Sequence, residues 1–510
     1  MGGRYERGLY RQLEETINRL DALEEENKGA RKEIKRLTGE VQRLNKENEK
    51  LRVKLAGCQE ELKNLRSENK ELRRENQLLK DDNERMKRIL NNDSSNSSLP
   101  PSTDQRGKAA NTYNSREKSG RKAGGQKGHK GYHLTKAEVE RKIREGVYEY
   151  RLEEIGVRGR AYVSRYRLDL EIKTVATEIR IYADEKGKYA IPNEMKAEVF
   201  YGKTVRAISA FLYSEGVVAN DRICSFLNSL SGDSLHISTG SIYEFCRKFE
   251  NACERVVPQI EEEILNAPVI CTDATTISVN GVQTYIRNFS TEYTVVYHGA
   301  DKKNLETLES FQILREYTGI VVHDHETALY HFGTAHAECN VHLNRYLMKN
   351  TEESGNLWSH HMRCFLNGLN EARKKRICEG KTAYTEEEIL RYETRYDTIL
   401  ACGLEENQKT QGRIAKQEEK ALLNRLTTYK KNHLLFLHDF RVPFSNNRSE
   451  KDLRICKNRQ KMAGGFRNQA GRKMYCNILS VIETAKRRGL NIFHSITALM
   501  NGANNIFLTG

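Results

Sequence analysis

The chain has 510 residues, 85 of them Lys or Arg and 70 Asp or Glu, so its formal net charge is +15. This length predicts several domains, and the charge favours a polyanionic partner, although solubility alone also explains it. No apolar run approaches the ~20 residues of a membrane span, which argues against a membrane protein and favours the cytoplasm. The 11 cysteines contain no Cys-x-x-Cys pair, so we expect reduced thiols and no structural zinc site.

A heptad repeat runs through the N-terminal region, residues 1–91, and is unbroken from Leu20 to Leu90. One seam is almost entirely leucine, and the other repeats asparagine, as at Asn27 and Asn48. Leucine seams predict a left-handed coiled coil, and asparagine at a positions favours a parallel dimer in fixed register. A trimer stays open, and so does an assembly larger than a dimer.

A basic linker is predicted from residue 92 to residue 136, where Ser, Asn and two prolines end the helix. Its glycine-rich segment contains Arg121, Lys122, Lys127 and Lys130. A flexible basic arm binds DNA phosphates without reading sequence. A solvated linker with no such role is the alternative interpretation.

Two smaller regions follow. Alternating apolar residues between Glu171 and Ala183 predict a small β-containing domain over residues 137–200. In residues 201–265, one helix is expected from Asn220 to Leu230, and a second is capped by Ser238. This outline resembles a helix-turn-helix that would place Arg247 and Lys248 in a major groove. Two ordinary packed helices explain the pattern equally well.

Two apolar runs each end on a carboxylate, the first at Asp273 and the second at Asp324. Between them, β-branched residues flank Asn280-Gly281, which is typical of a hairpin turn. A carboxylate at the end of a buried strand requires compensation, and Mg²⁺ prefers one or two carboxylates. We therefore predict a magnesium site, with strand-end or turn residues as the alternative.

A third acid, Glu450, follows a charged helical region that reads as an insertion over residues 351–440. Asn447 and Glu450 have the spacing of a capping box, which competes with a metal-ligand role, and Asp452 is the substitute ligand. Further cations lie on the same predicted helix, including Arg454 and Lys457. Cys339 and His342 have metal-ligand spacing, but the chain has no second such pair for zinc.

Together these segments resemble the insertion sequence 66 family of transposases, in the DDE superfamily. The resemblance rests on the coiled coil, on Asn96–Ser102 and Gly124–Gly131, and on Tyr201-Gly202. It extends to the acidic motifs Thr272-Asp273, His323-Asp324 and Asn446–Glu450, followed by Arg454.

The resemblance implies an RNase H-like α/β core in which Asp273, Asp324 and Glu450 bind two Mg²⁺ ions, with Mn²⁺ as a substitute. It implies DNA as the partner, both element ends and target, in a bacterial cytoplasm close to the nucleoid, with helper proteins as further candidates. Cys339 and His342 fall on a Cys-x-x-His motif of such enzymes.

Two departures from the family are visible. Residues 133–200 lack the usual cysteine-rich zinc-binding segment, and Lys451 stands where arginine is usual. We still expect DDE chemistry. A non-catalytic DNA-binding dimer and an RNase H-like nuclease without strand transfer are the alternatives.

The expected fold is a multidomain α+β protein. It has a parallel coiled coil, a helical DNA-binding region, and an RNase H-like core with a helical insertion. The expected core is divided into residues 266–350 and 441–510.

Overall fold

The computed structural model describes residues 3–91, 134–155, 161, 163–503 and 506–507. Within these ranges, no helix is both long enough and apolar enough to cross a bilayer. The N-terminal helix and the sheet-containing region are separate units, and each is considered by itself. The described chain is α+β, as the sequence predicts.

The first unit is dominated by a single helix, α1, which runs from Gly3 to Asn91. Its seam leucines are about half exposed, with Leu37 and Leu44 each at 47% and Leu62 at 50%. A continuous helix with a leucine stripe open to solvent is what one strand of a coiled coil presents. The identity and number of its partner helices stay predictions.

The second unit contains fifteen further α-helices and five strands among the described residues. The helices are α2 (Lys136–Arg144), α3 (Lys203–Ser214), α4 (Asn220–Leu230), α5 (Thr239–Glu254), α6 (Val257–Leu265), α7 (Leu305–Ser310), α8 (Gln312–Glu316), α9 (Asn340–Ser354), α10 (Leu357–Cys378), α11 (Glu386–Lys409), α12 (Arg413–Thr428), α13 (Lys430–His438), α14 (Asn447–Ala463), α15 (Gln469–Arg487) and α16 (Ile492–Met500). The strands are β1 (Val269–Val279), β2 (Val282–Ser290), β3 (Val295–Ala300), β4 (Ile320–His323) and β5 (Ala335–Glu338).

The five strands form one mixed sheet in the order β3-β2-β1-β4-β5. Strands β1, β2 and β3 are antiparallel neighbours, whereas β1, β4 and β5 run parallel. The β1–β2 hairpin turns at Asn280 and Gly281, whose φ angles are 50° and 78°. Asn-Gly adopts these positive φ values readily, so the predicted hairpin is confirmed.

The sheet separates two hydrophobic cores because successive strand residues point to opposite faces. Ile270 and Val321 join the core formed with α3, α5 and α15. Their neighbours Cys271 and Val322 join a second core, which surrounds Trp358 and is built from α9 to α13. The helices predicted over residues 351–440 therefore pack against one face of the sheet.

The predicted strand between Glu171 and Ala183 is not formed. Residues 163–182 have no regular secondary structure, and Ala183 makes only an isolated bridge to Tyr189. The alternating side chains are open to solvent, with Ile172 at 60% exposure and Val175 at 78%. Alternation alone does not make a strand, which also needs a neighbouring backbone to pair with.

The helical region has the two predicted helices, α4 and α5. Ser238 caps α5 by accepting a hydrogen bond from the Ser241 N–H at 3.1 Å, as predicted. α4 begins at Asn220 as expected, but Ala219 is its N-cap and no side chain caps it. Residues 231–238 form a connection longer than the 3–4 residues of a helix-turn-helix, and α5 packs against α3 and α15. DNA binding by this pair stays a prediction.

Candidate active site

Asp273 and Asp324 lie at the same level of neighbouring parallel strands. Ile270 pairs with Val321 and Cys271 with Val322, and two further residues in this register place Asp273 opposite Asp324. Asp324 directly follows the last residue of β4, His323. Asp324 lies just beyond the end of β4, whereas Asp273 lies within β1, which continues to Val279 beside β2. The shared register of β1 and β4 therefore brings the two residues to one place.

The Asp273 carboxylate is held by the backbone and is hard to ionise. Its Oδ1 accepts a hydrogen bond from the Ala274 N–H at 2.7 Å, and its own N–H donates to Asn288 Oδ1 at 3.1 Å. Burial, and then the nearness of Asp324, raise the pKa of Asp273 to about 6. A carboxylate whose pKa is raised by burial and by a neighbouring carboxylate favours a cation beside it.

Glu450 lies in the first turn of α14, but it does not form the capping box that was the alternative. The N-cap is Asn446 rather than Asn447, and no side chain caps this helix. Asn446 Nδ2 instead donates to the Thr272 carbonyl at 2.8 Å, which ties the start of α14 to β1. The capping-box interpretation was therefore wrong, because Asn447 is the first residue within the helix and Glu450 is four residues beyond the actual N-cap.

Asp452, the substitute third acid, is already engaged elsewhere. Its carboxylate accepts hydrogen bonds from Arg487 at 2.5 Å and from Asn288 Nδ2 at 3.2 Å. It lies outside the group of possible metal ligands around Asp324. Glu450 is thus the acid of α14 that faces the strand-end carboxylates.

Four side chains converge where β4, α9 and α14 meet. The ligand atoms of Asp324, Cys339, His342 and Glu450 all lie within 4.8 Å of one another. His342 Nδ1 is 2.9 Å from Asp324 Oδ1 and 3.6 Å from Glu450 Oε1. Burial opposes protonation of His342, but the nearness of Asp324 and Cys339 outweighs it and raises the pKa of His342 to about 10.

This convergence leaves polar atoms short of hydrogen bonds. Asp324 Oδ1, His342 Nδ1 and Glu450 Oε1 are all shielded from solvent and make no hydrogen bond of normal geometry among the described residues, and the only close contact of His342 Nδ1 with Asp324 Oδ1 is an ion pair of 2.9 Å. A buried carboxylate oxygen without a hydrogen bond, such as Glu450 Oε1, costs free energy. A cation bound by Asp324 and Glu450 removes that cost, so the residues present fit a divalent metal.

Two ion pairs hold the turn that follows Asp324. On one side, His325 Nδ1 lies 2.6 Å from Glu338 Oε1 on β5. On the other side, the buried Arg287 guanidinium of β2 donates to both carboxylate oxygens of Glu326, at 2.6 and 2.7 Å. His325 itself has a positive φ of 61°, which is uncommon for a residue with a side chain. The turn is therefore held from both sides in a strained conformation.

Glu338 also links the sheet to the helical insertion. Its carboxylate accepts hydrogen bonds from Tyr330 Oη at 2.5 Å and from Arg425 of α12 at 2.6 Å. Burial favours its neutral form, but His325, His433 and Arg425 hold the pKa of Glu338 well below its usual value. Sequence reasoning missed Glu338, and the only available signal was an acid immediately before Cys339.

Two lysines lie on the side of the sheet near Asp273: Lys303, just after β3, and Lys457, on α14. Lys457 Nζ donates a hydrogen bond to Thr276 Oγ1 at 2.6 Å. Tyr285 is the residue of β2 that pairs with Thr276, and Lys303 Nζ lies 5.7 Å from the centre of its ring. Burial, and then Lys461 and Lys303, lower the pKa of Lys457. Mutually repelling lysines beside a carboxylate are typical of a phosphate-binding surface, and Lys303 was not foreseen.

The other predicted DNA contacts are dispersed. Arg454 and Lys248 are exposed, and Arg247 is paired with Glu244 at 2.7 Å within α5. Arg121, Lys122, Lys127 and Lys130 lie outside the described residues. The structure thus brings Lys457, but not Arg247 or Lys248, into hydrogen-bonding contact with the strand that carries Asp273.

Comparison with known proteins places this geometry in a family. Residues 25–135 match a family of unknown function (DUF6444). No curated protein matches the chain. Residues 201–474, more than half of the chain, match the model of the Transposase IS66 family and span Asp273, Asp324, Cys339, His342 and Glu450. The chain therefore belongs to the IS66 family of transposases.

Proposed function

We propose that the protein is a DNA transposase. It would cut phosphodiester bonds at the ends of a mobile element and join the freed 3′-hydroxyl to target DNA. The observation that carries the proposal is the position of Asp324, which lies opposite Asp273 in the β1–β4 register and has its ligand atom within 4.8 Å of that of Glu450, in a family of transposases. Asp273 itself is not among the four side chains of that group. The three acids together are the proposed site. Their proposed role is to hold two Mg²⁺ ions, or Mn²⁺ in their place.

The architecture supports an RNase H-like core. An antiparallel β1–β2–β3 meander joined to parallel β4 and β5, with Glu450 on a helix packed across β1, resembles that fold. A shared fold does not determine the reaction, so the proposed DNA cleavage and joining are inferred from the residues of the site.

When bound, paired divalent ions activate the attacking oxygen and stabilise the leaving oxygen of an in-line displacement. The residues of the chain prepare the site for this reaction. Asp273, with its raised pKa, is mostly ionised at neutral pH and becomes fully so opposite a cation. Lys303 and Lys457 would hold DNA phosphates beside it, and the ion pairs of Glu326 and His325 would keep Asp324 in place.

The N-terminal regions would supply assembly and affinity. The exposed leucine seam of α1 supports a parallel homodimer, since burying that stripe removes a large apolar surface from water. The basic residues Arg121, Lys122, Lys127 and Lys130 would add sequence-independent affinity for DNA.

The deciding experiment incubates the full chain with linear DNA that carries both ends of its own element and a supercoiled target, in Mg²⁺ buffer. We expect breaks that leave 3′-hydroxyls at the element ends, followed by joining to the target. The same chain with Asp273→Asn is the control and should do neither. Cleavage without joining would identify a nuclease, and DNA binding without either reaction would identify a non-catalytic binding protein.

A further inference from the structure

We propose that Asp324, Cys339, His342 and Glu450 form a binding site for a thiophilic divalent ion, Zn²⁺ in the cell. Occupation of this site would compete with the Mg²⁺ ions of the proposed reaction. The competition rests on the proposed function, whereas the zinc site itself does not.

The four ligands come from three elements that meet at one point. Cys339 is the N-cap of α9 and His342 lies in its first turn, while Asp324 follows β4 and Glu450 lies at the start of α14. Their ligand atoms lie within 4.8 Å of one another. Tetrahedral zinc, with bonds of about 2.0–2.3 Å, separates its ligands by about 3.3–3.8 Å. The most distant ligand atoms would therefore move closer together, and His342 Nδ1 and Asp324 Oδ1, now 2.9 Å apart, would separate slightly.

The hydrogen bonding already suits a metal. Asp324 Oδ1, His342 Nδ1 and Glu450 Oε1 are shielded from solvent and make no hydrogen bond of normal geometry among the described residues, and His342 Nδ1 lies 2.9 Å from Asp324 Oδ1 and 3.6 Å from Glu450 Oε1. Cys339 Sγ accepts a hydrogen bond from the Asn446 N–H at 3.1 Å, the kind of support that metal-bound thiolates receive from the protein around them. A metal ion would replace the contacts of His342 with the two carboxylates, and the supported sulfur faces the same centre.

The ligand types select against Mg²⁺ at this position. Mg²⁺ requires oxygen ligands in an octahedral arrangement, whereas a thiolate and an imidazole favour zinc and its neighbours in the transition series. The sequence predicted no zinc because it offers no second Cys or His pair, but here two carboxylates complete the set. Zinc bound in this way would occupy two of the three proposed catalytic acids and leave Asp273 alone.

The test uses Co²⁺ as a spectroscopic probe of the full-length protein. We expect one Co²⁺ per chain, with the visible bands of a tetrahedral site and a near-ultraviolet sulfur-to-cobalt charge-transfer band, both removed by stoichiometric Zn²⁺. Cys339→Ser should lose the charge-transfer band, and its affinity for Zn²⁺ should fall at least about tenfold. Cys402→Ser, at an exposed cysteine, is the matched control and should retain both.

His342→Gln provides a second variant in case Cys339→Ser fails to fold. It should keep a charge-transfer band while losing at least about tenfold in affinity for Co²⁺. A wild-type protein with no charge-transfer band, or a band that survives Cys339→Ser in a folded protein, would overturn the proposal.

A cleavage assay separates this proposal from the proposed function. Zn²⁺ should inhibit Mg²⁺-dependent cleavage, and half-inhibition of Cys339→Ser should need at least about ten times more Zn²⁺ than half-inhibition of the wild type. If the chain cuts no DNA at all, the proposed function fails while the cobalt spectrum still decides the zinc site. If it cuts DNA but shows no sulfur-to-cobalt band, only the zinc site fails.

Discussion

Arg287 on β2 reaches across β1 to hold Glu326, two residues beyond Asp324, through two hydrogen bonds of 2.6 and 2.7 Å. The Arg287 side chain is only 1% exposed, and it also donates to Thr272 Oγ1 at 3.1 Å. The Glu326 carboxylate stabilises the buried Arg287 guanidinium, because removing one partner leaves the other charge uncompensated in the protein interior.

We therefore expect Arg287→Gln to reduce the free energy of unfolding by about 3–5 kcal/mol. The double variant Arg287→Gln with Glu326→Gln should recover part of this loss, because neither buried charge is then left alone. Denaturant unfolding of the four proteins in the cycle measures the coupling. If the loss in free energy of unfolding of the double variant equalled the sum of the losses of the two single variants, the pair would not fix the turn that bears Asp324.

The three acids should be separately essential. Asp273→Asn, Asp324→Asn and Glu450→Gln should each reduce cleavage more than about a hundredfold, beyond the loss typical of residues around a metal site, because an amide is a poor ligand for Mg²⁺. Binding of DNA should persist, as measured by fluorescence anisotropy, because Lys and Arg elsewhere supply it.

Glu450→Gln is the sharpest of these three tests. The start of α14 lacks a capping box, so a preserved cap could not explain a nearly active Glu450→Gln variant. Such a variant would show that Glu450 is not a metal ligand. Glu379→Gln, at an exposed acid, is the matched control and should be fully active.

The stability of the metal-free protein should depend on Asp273. The pKa of Asp273 is about 6 in the folded protein and about 3.9 in the unfolded chain. The contribution of this carboxyl group to the free energy of unfolding is therefore fully present below about pH 4 and is lost as the pH rises through 6. Metal-free Asp273→Asn should therefore be more stable than the wild type at pH 7.5, by up to about 3 kcal/mol, and the difference should be about half as large at pH 5.

Mg²⁺ reverses this penalty and should raise the melting temperature of the wild type more at pH 7.5 than at pH 5. Thermal unfolding with and without the ion, at both pH values, measures the effect. An equal rise at both pH values would mean that the ion does not meet the ionised form of Asp273.

The N-terminal helix should dimerise in isolation. Residues 1–95 are expected to form a parallel helical dimer at micromolar concentration, because the leucine seam is exposed in the single helix and the asparagines specify register. Sedimentation equilibrium gives the mass, and disulfide trapping through Cys58, a seam residue, reports the parallel register. A monomer would refute the coiled coil, and a trimer would correct only its stoichiometry.

DNA affinity should fall steeply with salt, in part through the basic arm. Replacing Arg121, Lys122, Lys127 and Lys130 by glutamine should reduce the slope of log affinity against log salt by about 0.9 for each phosphate that the arm no longer neutralises. Titrations of duplex DNA at several salt concentrations measure this slope.

The matched control removes the same number of charges from the outer positions of α1, at Lys46, Lys50, Lys70 and Arg74. We expect this control to keep the slope of the wild type. Equal slopes in all three proteins would show that the segment is only a linker.

The sequence by itself determined those features that depend on near neighbours. The heptad of α1, the Asn280-Gly281 hairpin and the strands that deliver Asp273 and Asp324 were all readable, because periodicity and turn chemistry act over a few residues. The sequence placed Asp273 at the end of an apolar run, but β1 continues to Val279 because its second half pairs with β2. The parallel pairing of β1 with β4 brought the two acids to one level.

Only the tertiary structure decided the rest. Local spacing offered a capping box of Asn447 with Glu450 as the alternative to a metal-ligand role, and it predicted a strand near Ile172. Neither formed, because the N-cap of α14 is Asn446 and Ile172 has no pairing strand among the described residues. The Arg287–Glu326 and Glu338–Arg425 pairs join residues that are far apart in sequence, and the periodicity of the sequence does not predict such pairs. The strength of these ion pairs depends on the burial and close approach of the charged groups, which arise only when the sheet and the helical insertion pack together.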